Sequence, residues 1–152
     1  MWKIEFDEGD WFYRIFGKDK NIAAYFGPDY GKIPKESEED IIKQMHKENS
    51  HVSGGFLTIP LVKFGIFDSD YESDIYDLID TIDGISQRLQ VWKSVLEVAT
   101  LKKHVVKISH TDQDMLSVTI FTTFNHIVSL DKKTILEEIS PILDLAFEKQ
   151  LL

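Results

Sequence analysis

Seven carboxylates stand within sixteen residues with no cation among them: Asp68, Asp70, Glu72, Asp74, Asp77, Asp80 and Asp83, in the run FDSDYESDIYDLIDTID. Acids at this density can chelate a cation, share a proton in acid–base catalysis, or meet a positively charged partner. A calcium loop of the EF-hand kind needs Gly at its sixth position and Glu at its twelfth. Counted from Asp68 these are Ser73 and Ile79, so the loop pattern fails at both. Asp68-Ser69-Asp70 is a bare D-x-D without a phosphate-binding context. Catalysis by a carboxylate pair needs environments that push two pKa values apart, which requires burial. Asp74, Asp77, Asp80 and Asp83 recur every third residue and form a row on a helix surface. Asp77, Asp80 and Asp83 point away from the apolar stripe of that helix, which suits neither a base nor an acid. The third reading is a binding face. Like charges at this spacing destabilise a helix by roughly 0.2–0.5 kcal/mol per pair, and none of these aspartates has Lys or Arg four residues on. A cationic partner would relieve that cost; a solvated face that only keeps the chain soluble is the plain alternative. The expected contact residues are Asp70, Asp74, Asp77, Asp80 and Asp83, with Tyr76 as an aromatic anchor among them.

The other chemistry-bearing residues are dispersed. His46, His51, His104, His110 and His126 show no helical metal-ligand spacing and no H-E-x-x-H. His51-Val52-Ser53 matches half of a paired H-x-[ST] phosphoesterase pattern, and the second half is missing. The hydrolase elbow G-x-S-x-G and the phosphate loops G-x-x-x-x-G-K-[ST] and G-x-G-x-x-G are absent. Ser53-Gly54-Gly55 reads as a flexible turn. Lys102-Lys103-His104 reads as a basic helix end that complements the dipole. No catalytic residue, cofactor or metal site is implied. The enzymatic rival is a small hydrolase or phosphoesterase-like protein with a pocket assembled from distant residues such as His51, His110 and Asp112.

The elements that must carry these residues follow from periodicity. Trp2–Phe6, Trp11–Phe16 and Ile22–Phe26 alternate and are separated by short turns, which predicts an antiparallel meander. Its rings, Trp2, Trp11, Phe12, Tyr13, Phe16, Tyr25, Phe26 and Tyr30, are dense enough that half should face the core and half solvent, a partner or a covering helix. A short helix follows Ser37, its expected cap, with Ile41, Ile42 and Met45 as its apolar positions. Residues 50–55 read as loop. Phe56–Phe67 reads as a strand made an edge or bulged strand by Pro60. Ser69-Asp70-Tyr71-Glu72 has capping-box spacing. Behind it Ile75, Ile82, Leu89, Leu96 and Leu78, Ile85, Trp92, Ala99 draw one stripe through four heptads, predicting a long helix from about residue 70 to Leu101, bent if at all at Gly84. His104–Ser109 and Leu116–Phe124, the latter extended by residues 125–130, predict two strands around the turn at 111–114. Asp131 should cap a final helix carrying Ile135, Ile139, Ile142, Ala146 and Phe147, kinked or restarted at Pro141. The expected fold is α+β in one domain, residues 1–152: a mainly antiparallel sheet packed with a long central helix and a C-terminal helix.

The totals agree with that size and bound the partners. The chain has 152 residues, 43% of them apolar and 28% charged, and no cysteine, hence neither a disulfide framework nor a thiolate metal site. No apolar run reaches the length of a membrane span, and MWKIEFDEGD lacks the order of a signal peptide, so a cytoplasmic location is expected. The formal net charge is −9; the acidic run supplies −7 of it and the remainder is near balance at −2. Such a field repels nucleic acid and anionic membranes and attracts a basic protein.

In length, acidity, lack of catalytic motifs and its run FDSDYESDIYDLIDTID, the chain resembles the immunity proteins of bacterial contact-dependent growth inhibition and related polymorphic toxin systems. The resemblance implies a cytoplasmic antitoxin whose partner is a cognate toxin domain, often a basic nuclease, which it binds and blocks through its acidic helix.

Overall fold

A computed structural model describes residues 2–9, 11–18, 20–60, 82–110 and 116–148. The three expected hairpin strands are present as β1 (Lys3–Asp7), β2 (Phe12–Phe16) and β3 (Ile22–Pro28). A helix α1 (Glu38–Lys47) follows, then strand β4 (His51–Pro60), helix α2 (Ile82–Thr100), strands β5 (His104–His110) and β6 (Leu116–Ser129), and helix α3 (Lys132–Glu148). The described strands form one antiparallel sheet in the order β1-β2-β3-β4-β6-β5. The architecture is α+β.

Alternation decides which side of the sheet is covered. Tyr13, Phe26, Leu57 and Ile120 lie in one row across β2, β3, β4 and β6, and all four are buried. Leu89, Trp92 and Leu96 from α2 and Ile135, Ile139, Ile142 and Leu143 from α3 complete that core. The Trp2 indole N–H donates to Asp144 Oδ1 at 2.7 Å and ties the edge of the sheet to α3. The other face carries Arg14, Tyr25, Thr58, Thr119 and Lys107 in one row. Beside it Phe56 meets Phe121 edge-on at 4.6 Å, with the Lys107 ammonium 4.5 Å above the Phe121 ring.

Several expectations need correction. Residues 51–55 are strand, not loop, and β4 is a central strand between β3 and β6, not an edge. Pro60 is tolerated because it is the last residue of the strand, opposite Ser117. Gly54 and Gly55 are there because backbone comes close: a Cβ on Gly54 would lie 2.3 Å from the Thr122 carbonyl oxygen, and one on Gly55 2.5 Å from that of Gly27. The register with β6 shifts between Val52 and Gly54, where β6 carries extra residues.

Helix ends also depart from expectation. Ser37 precedes α1, but its hydroxyl donates to the Pro34 carbonyl at 3.4 Å and caps no amide. The far end of α1 is closed by Asn49 in the left-handed region, with the Asn49 amide on His46 O and the Ser50 amide on Met45 O, a Schellman closure. Asp131 does cap α3, accepting from the Lys133 amide at 3.2 Å. Helix α3 runs through Pro141 without a break; burial of Ile142, Leu143, Leu145 and Ala146 beyond it outweighs the lost ladder bond. On α2, Leu89, Trp92 and Leu96 are buried as the stripe predicts, but Ala99 is exposed. The stretch expected to begin this helix, 70–81, lies outside the described residues. Among the described residues no helix is long and apolar enough to cross a membrane.

Candidate functional site

The acidic run joins the end of β4 at Pro60 to the start of α2 at Ile82. Asp70, Asp74, Tyr76, Asp77 and Asp80 lie outside the described residues, and Asp83 falls in α2. Among the described residues no group of three or more His, Asp or Glu side chains is placed to hold a metal ion.

Two of the residues named for the enzymatic rival, His51 and His110, are not brought together. His51 opens β4 opposite Ser129, whereas His110 sits opposite Leu116, beyond the other end of β4. The ten-residue length of β4 separates them, about 30 Å at the rise of a strand. His51 and His126 are exposed. Asp112 lies outside the described residues.

Two other histidines are the chemically distinctive ones, and sequence reasoning gave neither a role in a site. His104 is 2% exposed. The Thr100 hydroxyl donates to the Leu96 carbonyl at 2.7 Å, so its oxygen must accept from His104 Nε2–H, also at 2.7 Å. That fixes the tautomer and leaves Nδ1 a bare lone pair, buried with no hydrogen-bond partner among the described residues. Burial, and after it the Lys102 charge, lower the His104 pKa, with Glu97 opposing. The ring is held neutral against the α2–β5 junction, where Glu97 also accepts from its backbone amide at 3.3 Å.

His46 belongs to a larger feature, a cleft of about 710 Å³ between the β1–β2 turn, α1 and the start of α3. Its apolar wall is aromatic. The His46 ring stacks on Phe6 with centroids 4.3 Å apart, and Trp11 and Tyr13 stand about 6 Å from it, at 6.0 and 6.1 Å. His46 Nε2 lies 2.7 Å from the Tyr30 hydroxyl, which also lies 3.3 Å from the Trp11 carbonyl oxygen. Burial lowers the His46 pKa and raises those of Tyr13 and Tyr30, so at neutral pH all three rings are uncharged. The rim is charged: Glu8, Glu39, Lys43, Lys47 and Lys132. Trp11 holds φ at +58°, a conformation costly for a bulky L-residue. Its amide bonds to Asp7 O at 2.9 Å, which locks the turn in that form. The aromatic density of the first thirty residues was the one sequence signal for this cleft. Its closure by His46 and by Leu130 and Lys132 depends on contacts far apart in the chain.

No family model, curated protein or solved structure matches the chain.

Proposed function

We propose that the protein binds and neutralises a basic protein partner, acting as an immunity protein toward a bacterial toxin domain of the nuclease type. The observation that carries this reading is the concentration of −7 of the −9 net charge in residues 68–83, with no cation inside the run. A nuclease face is positive because it holds phosphates; a row of carboxylates imitates that charge, accelerates encounter and fixes register. The run is tethered at both ends to core elements, the central strand β4 and helix α2, whose Leu89, Trp92 and Leu96 are buried. The separation of His51 from His110 counts against the particular histidine pair named for the enzymatic alternative.

The test is affinity capture from the native lysate at low and high salt, beside a D77K/D80K variant, followed by expression of the captured protein alone. One basic protein held by the wild type, released by salt, lost in the variant and toxic when expressed without this chain is the expected result. Equal capture by wild type and variant overturns the reading.

A further inference from the structure

The aromatic cleft carries a second inference, independent of the acidic run. We propose that it binds a small planar anion, an aromatic ring bearing a phosphate or carboxylate, about the size of a mononucleotide. A volume of about 710 Å³ is ample for such a ligand and falls within the usual range of ligand pockets. Phe6, Trp11, Tyr13 and His46 supply a wall of rings, and a planar ligand gains by stacking on such a wall whatever its edge pattern.

The charges on the rim decide the sign of the ligand. Ring faces attract cations, but lysines at the rim would repel one by Coulomb's law. Here three lysines line the cleft. Lys43 is engaged by Glu39 at 3.5 Å. Lys47 and Lys132 form no ion pair among the described residues and outnumber the remaining Glu8. His46, neutral, offers polarity without adding charge.

Trp11 is the second independent sign. A turn needing positive φ is ordinarily filled by Gly or Asn, and the turn already contains Gly9 two positions earlier. Retaining the indole at a strained position is understandable if the ring is needed in the cleft. Trp11 also packs on Phe6 at 5.9 Å and on His46 at 6.0 Å; packing does not account for Lys47 and Lys132 at the rim, which form no ion pair among the described residues.

The test is titration calorimetry of the full chain with adenosine monophosphate and with indole-3-acetate, against inorganic phosphate, adenosine and choline. At least one of the two aromatic anions should bind. Phosphate or adenosine alone should bind at least about tenfold more weakly, and choline should not compete. Lys47→Glu and Lys132→Glu change exposed side chains and should each weaken binding about tenfold with thermal stability retained. Trp11→Gly should weaken it about tenfold or more while relieving the backbone. Binding of phosphoryl and carboxyl probes alike points to the shared ring-plus-anion chemistry, and binding of one alone names the source. Absence of binding by both aromatic anions at millimolar concentration overturns the proposal. So does unaltered affinity in both lysine variants, or preferential binding of choline. None of these outcomes bears on capture of a basic partner, which depends on residues 68–83.

Discussion

Two glycines on neighbouring strands should respond oppositely to the same added methyl group. At Gly54 a Cβ would stand 2.3 Å from the Thr122 carbonyl oxygen and 3.1 Å from Thr123 Cα. Both obstacles are backbone of β6, fixed by the ladder with β4, so neither can rotate away. The strands must separate or the register must slip. Overpacking of this kind costs about 1–3 kcal/mol and occasionally more; with backbone as the obstacle we expect about 3 kcal/mol for Gly54→Ala. In a domain of this size that is a fall in Tm of about 6–12 °C. At Gly27, in β3, a Cβ meets nothing within 4 Å and φ is not positive. Gly27→Ala should therefore raise stability by about 0.4–1 kcal/mol by restricting the unfolded chain. Urea denaturation of the two variants beside the wild type measures both effects at constant m. Equal, small effects at the two positions would refute the close approach of β4 and β6 and, with it, the central placement of β4.

Two further predictions concern single groups. Because His104 and His46 have lowered pKa values in the fold, the unfolded chain binds more protons near their ordinary pKa of about 6.5. Their contribution is thus fully present above that pH and is lost as pH falls through it toward the folded values. Denaturation at pH 7.5 and 5.5 should show the loss, and His104→Gln should shrink the difference; an unchanged difference would contradict the buried neutral ring. Just past α2, Leu101 holds φ at +56° while 89% exposed, so Leu101→Gly should stabilise by about 0.5–1 kcal/mol by thermal melt, where a loss would show that Leu101 makes contacts of value.

The parts of the fold readable in the sequence were those written as local periodicity. Alternation in Trp2–Phe26 gave the first three strands, and the stripe through Leu89, Trp92 and Leu96 gave the buried face of α2. What failed was what depends on neighbours. Gly54 and Gly55 have turn composition, but their reason for being glycine is the backbone of adjacent strands. Pro60 suggested an edge because nothing local distinguishes the end of a central strand from an edge. The Ser37 hydroxyl chose Pro34 over the helix amides, a competition between two neighbouring partners that composition does not settle. The cleft was legible only as an excess of rings. Its histidine comes from α1 and its lysines Lys47 and Lys132 from the ends of α1 and α3, so the site exists only once residues 6–13, 39–47 and 130–132 meet.

As proposed, the acidic run is a contact surface, and a basic partner should reach it under electrostatic steering. The most direct measurement is the association rate of the captured basic partner with the wild type and with D77K/D80K, by stopped flow at low and high salt. Fast association that slows steeply with salt is expected, and in the variant a slower rate with a much weaker salt dependence. Identical rates and identical salt slopes would contradict it and reduce residues 68–83 to a solvated face.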